Sequence, residues 1–405
     1  MERNILHIDC NCFFASVEML KKPEYAAVPM AVGGSRDTRH GIILAKNERA
    51  KAYGIKTGET LGDAFRKCPA LVIAPPCYRD YERVSRAVNE IYAEYTDRVE
   101  PFGIDESYLD VTSSLRLFAP SAAALGDLIR ERIKREIGVT VSVGVSFCKT
   151  FAKMGSDMKK PDATTVINRE DVASKVWPLP VSDMIFVGRK TTEALSHHGI
   201  TTVGGLAAAD PVWMKRFFGV NGVKLIEAAK GNDGEDVGMA GVSPTPKSVG
   251  NGMTFPRDLF TSDDIEAASD ILSENVTARM KKEGLIGRVV SVVLKYPDFV
   301  TVGRRSSLPA PTDSFFEISK EARRLVFSLL EEGRGLRALT VCCSSVSLRP
   351  GDFFQQSFFD NEKREKTESL EKTLFAVRER YGADAVMTAA MLRGRQNGIG
   401  RPKIK

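Results

Sequence analysis

Three acidic side chains of this sequence stand where short apolar runs end. Asp9 closes the run NILHID, and Asp105 and Glu106 are adjacent in PFGIDESYLDV. Adjacent side chains of a regular strand point to opposite faces, but a turn at Gly103 allows both carboxylates to project from one bend. We expect the end of the first strand and this bend to bring the three acids together.

The chemistry that such a cluster favours is metal-assisted phosphoryl transfer. No lysine or arginine adjoins the three acids in sequence, so their charges would repel each other without a cation. Mg²⁺ prefers oxygen ligands and is usually held by one or two carboxylates plus substrate phosphates. Two such ions stabilise the attacking and leaving oxygens of an in-line displacement. The Asp-Glu pair taken alone is more typical of ordinary exposed turn acids.

The elements that must position these acids follow from the hydrophobic pattern. NILHID reads as a strand, FFASVEML as a helix and PMAVGG as a second strand, which together make a β-α-β beginning. A long helix is predicted after residue 77, because Val84, Val88, Ile91 and Tyr95 fall on one helical face. The helix ALGDLIRERIKREIG and the strand VTVSVGVS complete an α/β unit that ends near Pro161.

Two further units follow along the chain. IFVGRKTTEALSHHGITTVGGL has the layout of a helix-hairpin-helix, which presents backbone N–H groups to a phosphate without reading bases. GNDGEDVGMAGVSPTPK is polar and rich in glycine, so it predicts an interdomain linker. From Lys247 the order strand, helix, strand, strand, helix, strand predicts a ferredoxin-like split β-α-β motif.

Bulk properties limit the class of protein. The 405 residues are 43% hydrophobic, which is enough for several cores, and the net charge of +6 is compatible with a polyanionic partner. No apolar run has the length of a membrane helix or a signal peptide, so we expect a cytoplasmic protein without a membrane partner. The end of the chain predicts a flexible basic tail, because it carries Arg393, Arg395, Arg401, Lys403 and Lys405 and no acid.

Four motifs agree in pointing to one family. DCNCFFASVE, NERAKAYGIKTGE, PFGIDESYLDV and SVGVSFCKTFAKMGSDMKKPD occur in this order, and each closely resembles a signature of the Y-family DNA polymerases. The resemblance extends over nearly the whole chain. It implies an α/β (α+β) multidomain right-hand polymerase with a ferredoxin-like palm, a helix-hairpin-helix thumb and a β-α-β-β-α-β little finger. The implied domains are palm (1–34 and 77–165), fingers (35–76), thumb (166–232), linker (233–246), little finger (247–349) and C-terminal tail (350–405).

The resemblance also implies roles for individual residues. Asp105 and Glu106 would be catalytic, and with Asp9 and the main-chain carbonyl of Cys10 they would bind two Mg²⁺ ions. Phe14 matches the steric-gate aromatic that excludes a 2′-hydroxyl, whereas Phe13 is expected in the core. Three basic residues match positions that neutralise the triphosphate of the incoming deoxynucleotide, namely Arg36, Lys51 and Lys160.

The fingers depart from the family pattern at one point. The polymerase IV branch commonly has a tyrosine followed three residues later by an arginine, where this chain has Glu48 and Lys51. Lysine keeps the charge but loses the bidentate fork of arginine. Because a lysine here also resembles the catalytic subunit of polymerase V, the branch and the need for an accessory subunit stay open.

Partners follow from the same resemblance. We expect a monomer that binds primer–template DNA and performs low-fidelity translesion synthesis. Gln355, Ser357, Phe358 and Phe359 resemble the glutamine-led, aromatic-ended peptide with which bacterial polymerases bind the sliding clamp. Exposed aromatics beside acids often mark a docking peptide.

Two other classes of function stay in view. A catalytically silent relative would bind DNA or recruit partners, and the presence of all three acids argues against it. A metal-dependent nuclease would also use clustered acids. The match of a steric-gate aromatic together with triphosphate-binding basic residues favours synthesis over hydrolysis.

Overall fold

The computed structural model describes residues 2–34, 39, 41–242, 244–349, 361–382 and 384–400. They fall into two compact units. The first contains residues 2–34 and 41–242, and the second contains residue 39 and the described residues after 243. Each helix of the described part of the chain is too short or too polar to span a lipid bilayer.

The first unit contains eight strands and ten α-helices among its described residues. The strands are β1 (Ile5–Cys10), β2 (Met30–Gly33), β3 (Ile43–Lys46), β4 (Val72–Ala74), β5 (Val99–Pro101), β6 (Glu106–Asp110), β7 (Val141–Ser146) and β8 (Thr164–Ile167). The helices are α1 (Phe13–Lys21), α2 (Glu48–Ala52), α3 (Leu61–Lys67), α4 (Tyr78–Ala93), α5 (Leu115–Phe118), α6 (Ala122–Glu136), α7 (Lys149–Met158), α8 (Arg189–His197), α9 (Val203–Ala207) and α10 (Pro211–Ala229).

The larger sheet has the strand order β5-β6-β1-β7-β8, with β1 at its centre and antiparallel to both neighbours. Successive side chains of β1 alternate between the two faces of the sheet. Leu6 and Ile8 enter a large core with the predicted face of α4 and residues of α6. Ile5 lies on the opposite face and packs with Ala152 of α7. His7 and Asp9 therefore belong to the face that α7 covers.

The second strand of the predicted β-α-β beginning does not join this sheet. β2 pairs antiparallel with β3 and parallel with β4, forming a separate three-stranded sheet. The expectation that β1 and β2 open one common sheet is therefore wrong. An apolar four-residue strand satisfies its hydrogen bonds equally well in either sheet, so the local pattern carries no information on its partner.

The predicted helix-hairpin-helix is confirmed in α8 and α9. Gly199 has φ of 77° just after α8, a left-handed conformation in which a residue with a Cβ is strained. Thr202 caps α9 by accepting a hydrogen bond from the Gly205 N–H. The other N–H groups at the start of α9 also have partners within the first unit, because Val203 donates to the Leu179 carbonyl and Gly204 donates to the Trp177 carbonyl.

The second unit is built as the sequence predicts. Its described elements are β9 (Ser248–Leu259), α11 (Ser262–Lys282), β10 (Leu285–Lys295), β11 (Thr301–Thr312), α12 (Phe315–Phe327), β12 (Leu336–Leu348), α13 (Asn361–Tyr381) and α14 (Ala389–Gln396). The strand order is β11-β10-β12-β9, antiparallel throughout. This confirms the β-α-β-β-α-β order.

The expected flexible basic tail is wrong for residues 391–400. Met391 in α14 and Ile399 after it are buried in the core of the second unit, and α14 packs on α11. The Asn397 side-chain amide donates to the Asp264 carboxylate at 2.9 Å. The few apolar residues here were too widely spaced to show that α11 covers them.

The predicted linker is bound to the first unit over its first part. Val237 is buried, the Gly238 N–H donates to Glu100, and the Ala240 N–H donates to the Asp97 carbonyl. A glycine-rich composition predicts the absence of a core of its own but not the absence of backbone hydrogen bonds.

Candidate active site

Strand pairing brings the three predicted acids together. Asp9 stands directly opposite Glu106 in the antiparallel pair β1–β6, so both side chains lie on the same face of the sheet. The Cys10 N–H donates to the Asp105 carbonyl at 2.9 Å, which holds the bend before β6 against the end of β1. The turn around Gly103 thus places Asp105 beside the other two carboxylates.

Two lysines, absent from the sequence neighbourhood of the acids, reach them in the fold. Lys153 of α7 lies 3.2 Å from the Asp9 carboxylate and 2.8 Å from that of Glu106. Lys160 lies 2.9 Å from Asp9, and both ammonium groups also contact Asp157. The expectation that these charges go unneutralised without a metal cation is therefore wrong for Asp9 and Glu106. Lys153 was not among the residues predicted for the site from the sequence, although it lies in the fourth motif.

The three carboxyl groups have different electrostatic surroundings. Burial and the nearby charges of Asp9 and Glu106 raise the pKa of Asp105 to about 6. Burial acts to raise the pKa of Glu106 as well, but hydrogen bonds with His7 and Lys153 outweigh it and lower that pKa to about 2. Ammonium groups thus offset the negative charge at Glu106, whereas Asp105 has the raised pKa of a crowded carboxyl group.

The donor atoms suit a hard cation, but the carboxylates are turned towards lysines. The described residues contain no group of three or more His, Cys, Asp or Glu side chains already arranged to hold a metal ion. The acids nevertheless supply oxygen donors and a local excess of negative charge, which are the properties that Mg²⁺ requires. The residues fit a divalent cation on condition that Lys153 is displaced. Cys10 could contribute only its carbonyl, because its thiol is buried in the core.

Phe13 and Phe14 have different environments at the start of α1. Phe13 is buried in the core of the first unit, and Phe14 is half-buried. The Phe14 ring stacks on Tyr81 of α4, with centroids 4.1 Å apart and planes 11° apart, and Tyr78 packs against its edge. Tyr81 was not singled out in the sequence. Its hydroxyl donates to the buried carboxylate of Glu18, which fixes the ring that supports Phe14.

The departure at Glu48 has a structural counterpart. The Glu48 carboxylate lies 3.6 Å from the Lys51 ammonium within α2, and the Cys12 thiol donates to it at 3.3 Å. Lys51 and Glu48 are both about half exposed. Glu48 therefore holds Lys51 near the start of α1. The remaining predicted residues, Arg36 and the peptide of Gln355, Ser357, Phe358 and Phe359, lie outside the described residues.

Comparison with known proteins agrees with the four motifs. Residues 8–157 match the impB/mucB/samB family, residues 169–200 the helix-hairpin-helix motif of that family, and residues 246–358 its C-terminal domain. The DNA polymerase IV of Acetivibrio thermocellus is 41% identical over 404 residues, covering 98% of this chain and 99% of that relative. This chain belongs to the Y family of DNA polymerases. DNA polymerase IV 1 of Bacillus subtilis is 34% identical, with 96% of this chain and 94% of the relative covered.

A solved structure supports the Y-family fold. A Y-family DNA polymerase chimera, Dbh-Dpo4(243-245)-Dbh, aligns with a TM-score of 0.76 and 22% identity over 85% of this chain and 99% of its own. At that identity the likeness concerns the fold. Both full-length relatives are polymerases IV, so the Y-family alternative of a polymerase V catalytic subunit is not favoured.

Proposed function

We propose that this Y-family chain is a DNA-directed DNA polymerase that extends primers along a damaged template during DNA damage tolerance. Full-length relatives named DNA polymerase IV support this activity. The observation that carries the proposal is the cross-strand pair of Asp9 and Glu106, with Asp105 at the adjoining bend. The two rival functions lack comparable support.

We also propose that Asp9, Asp105, Glu106 and the Cys10 carbonyl hold two Mg²⁺ ions. When bound, these ions would lower the energy of charge developing on the attacking and leaving oxygens. Asp105 and Glu106 would bind the ions from the bend before β6 and the start of that strand, and Asp9 would bind them from the end of β1. Displacement of Lys153 would free Glu106 from its ammonium contact and leave Asp9 with Lys160 as its remaining ammonium partner.

The basic residues are assigned to the triphosphate of a deoxynucleotide. Lys160 is already near Asp9, so its ammonium group is close to the position of phosphates that would share ions with that carboxylate. Lys51 would contribute from α2, and Arg36 from outside the described residues. Fixed positive charges there would stabilise the pyrophosphate as negative charge moves onto it.

Phe14 is proposed as the steric gate. Its ring is supported by Tyr81 behind it and stays partly exposed, as a ring in contact with a sugar must be. A supported ring cannot retreat from a 2′-hydroxyl. Selection of deoxyribonucleotides would therefore result from repulsion of the ribonucleotide.

The remaining assignments concern partners and location. We propose that the chain acts as a cytoplasmic monomer on primer–template DNA and that Gln355, Ser357, Phe358 and Phe359 bind the sliding clamp. The boundaries of palm, fingers, thumb, linker, little finger and tail also stay predictions.

A primer-extension assay with Mg²⁺ and single deoxynucleotides tests the main proposal. We expect templated extension on an intact template and insertion opposite an abasic site. Shortening of the labelled primer instead would support a nuclease, and binding without either product would support a silent relative. The intact chain without any added protein is the required sample, because extension only after adding an accessory subunit would support the polymerase V alternative.

A further inference from the structure

His7 is a completely buried polar residue at the centre of the larger sheet, on the same face of β1 as Asp9. Its Nε2 lies 3.0 Å from a Glu106 carboxylate oxygen, and its Nδ1 lies 2.8 Å from the Ser156 hydroxyl. Both ring nitrogens therefore have a polar partner. A buried imidazole in this position is more costly than an apolar residue unless both contacts are made.

A missing side chain on β7 makes this arrangement possible. Gly144 stands opposite His7 in the β1–β7 pair. A Cβ at Gly144 would lie 1.8 Å from the Ala152 carbonyl oxygen and 2.4 Å from the Ser156 nitrogen, so α7 approaches the sheet where a side chain is absent. This close approach brings the Ser156 hydroxyl, which is also fully buried, within reach of His7.

Proton counting determines what Nε2 does. The Ser156 hydroxyl has one proton and two acceptors in reach, His7 Nδ1 and the Lys153 carbonyl at 2.8 Å. If the hydroxyl donates to Nδ1, the ring proton of neutral His7 is on Nε2. If the hydroxyl donates to the carbonyl instead, Nδ1 must carry a proton and donate to the hydroxyl. Nε2 must then carry a proton as well, because it faces a carboxylate, and the ring is an imidazolium. In both arrangements Nε2–H donates to Glu106.

We propose that His7 is a positioning residue: its Nε2–H, held in place by Ser156, orients the Glu106 carboxylate for a divalent cation. The inference rests on the proposed function, because it takes Glu106 to be a metal ligand. Glu106 has two oxygens, and the one bound by His7 is also the one that Lys153 contacts. When Lys153 is displaced, His7 keeps the Glu106 carboxylate in one rotamer. Cation binding then does not include the entropy cost of ordering that side chain.

Amide replacements separate this role from simple packing. The side-chain nitrogen of His7→Gln reaches roughly the place of Nε2, whereas that of His7→Asn reaches only the place of Nδ1. His7→Phe keeps a ring and removes both hydrogen bonds. Ser156→Ala removes the group that holds His7. Its matched control is Ser146→Ala, since Ser146 is a buried serine of the same sheet that donates to the Ile167 carbonyl and contacts none of the acids.

The measurement is Mn²⁺ affinity, from the paramagnetic resonance signal of free Mn²⁺. It uses the full chain bound to a dideoxy-terminated primer–template and a matched deoxynucleotide. We expect His7→Phe and His7→Asn to weaken binding by about 10–100-fold, the range for partners that orient metal ligands. His7→Gln should keep most of the Mn²⁺ affinity of the unsubstituted chain, and Ser156→Ala should show an intermediate loss of affinity. Ser146→Ala should match the unsubstituted chain. The Mg²⁺ concentration for half-maximal extension should rise in the same order, with primer–template affinity unchanged.

Equal Mn²⁺ affinities for His7→Asn and His7→Gln would overturn the inference, and so would unchanged affinity in a folded His7→Phe. If His7→Phe fails to fold, the two amide variants decide. Glu106→Gln in the same titration separates the assignment of Glu106 as a metal ligand from the positioning role of His7. Unchanged affinity in Glu106→Gln would refute the metal-ligand assignment itself, whereas a loss there combined with unchanged His7 variants would refute only the positioning role.

Discussion

Asp9 and Glu106 are cross-strand partners, and one ammonium group, that of Lys153, lies 3.2 Å from the first carboxylate and 2.8 Å from the second. Burial acts to lower the pKa of Lys153, but Glu106, Asp9 and Asp157 raise it, so the side chain stays charged. A divalent cation that binds both carboxylates has to replace this contact. The ammonium groups of Lys153 and Lys160 thus offset part of the negative charge of the acidic cluster.

Removal of an acid should abolish synthesis while sparing DNA binding. We expect Asp105→Ala or Glu106→Ala to reduce the rate of extension by at least about 10²–10³-fold, the range for loss of one preorganised electrostatic contact. Phosphate contacts made elsewhere dominate affinity for DNA, so the dissociation constant should change little. Single-turnover extension and fluorescence anisotropy measure the two quantities. Substantial extension by either variant at saturating Mg²⁺ would exclude that residue from the mechanism.

Truncation of Phe14 should relax sugar selection. We expect Phe14→Ala to increase ribonucleotide insertion far more than it decreases deoxyribonucleotide insertion, because the ring held against Tyr81 no longer blocks a 2′-hydroxyl. Phe13→Ala is the matched control, since that ring is buried. It should cost roughly 3–5 kcal/mol of stability without changing sugar choice. Single-turnover insertion of matched ribo- and deoxyribonucleotides decides, and selectivity lost only in Phe13→Ala would assign the gate to the other ring.

Release of Lys51 from Glu48 should improve nucleotide binding. If Lys51 contacts the triphosphate, Glu48→Gln should lower the KM for deoxynucleotides by up to about fivefold, the equivalent of an exposed ion pair of up to 1 kcal/mol. Asp63→Asn is the control, because Asp63 and Arg66 form an exposed pair with the same spacing in α3. Lys51→Met should raise the KM. An unchanged KM in both Glu48→Gln and Lys51→Met would remove Lys51 from the nucleotide site.

The stability of the second unit should depend on pH through Asp270. Burial raises the pKa of this carboxyl above its usual value of 3.8, although Ser319 and Arg323 act to lower it. The charged form is therefore less favourable in the folded state than in the unfolded state. This penalty is absent below pH 3.8 and develops as the pH rises through the folded-state pKa.

Asp270→Asn removes the titrating group and tests this sign. The free energy of unfolding of the variant relative to the unsubstituted chain should increase as the pH is raised from about 4 to 7, by about 1.4 kcal/mol for each unit of pKa difference. Calorimetry of the full chain at several pH values provides the comparison. A difference that stays constant, or that decreases with pH, would show that the ion pair with Arg323 outweighs burial.

The candidate clamp peptide has a test that does not depend on its structure. Deletion of residues 355–359 should erase stimulation of processivity by the sliding clamp, because a docking peptide contributes affinity through its aromatic side chains. Extension without the clamp should be unchanged, which serves as the internal control. Equal clamp binding by the deleted and the intact chain would refute the assignment.

The family, the order of elements in the second unit and the identity of the three acids followed from the sequence alone. Local patterns carry these features: one helical face on α4, alternating strands and motif residues at strand ends. The split β-α-β order from Lys247 was confirmed for the same reason. Each of these inferences depends on residues close to one another in the chain.

What only the tertiary structure decided involves residues far apart in sequence. Three findings depend on which surfaces meet: β2 belongs to a second sheet, Met391 of the tail is buried, and Lys153 approaches Asp9. No local pattern specifies the partner of an apolar strand or of a lysine, because burial and Coulomb attraction act through space and not along the chain. For that reason the sequence could predict the acids as a candidate site, whereas the contacts of Lys153 with Asp9 and Glu106 and of His7 with Glu106 became visible only in the fold.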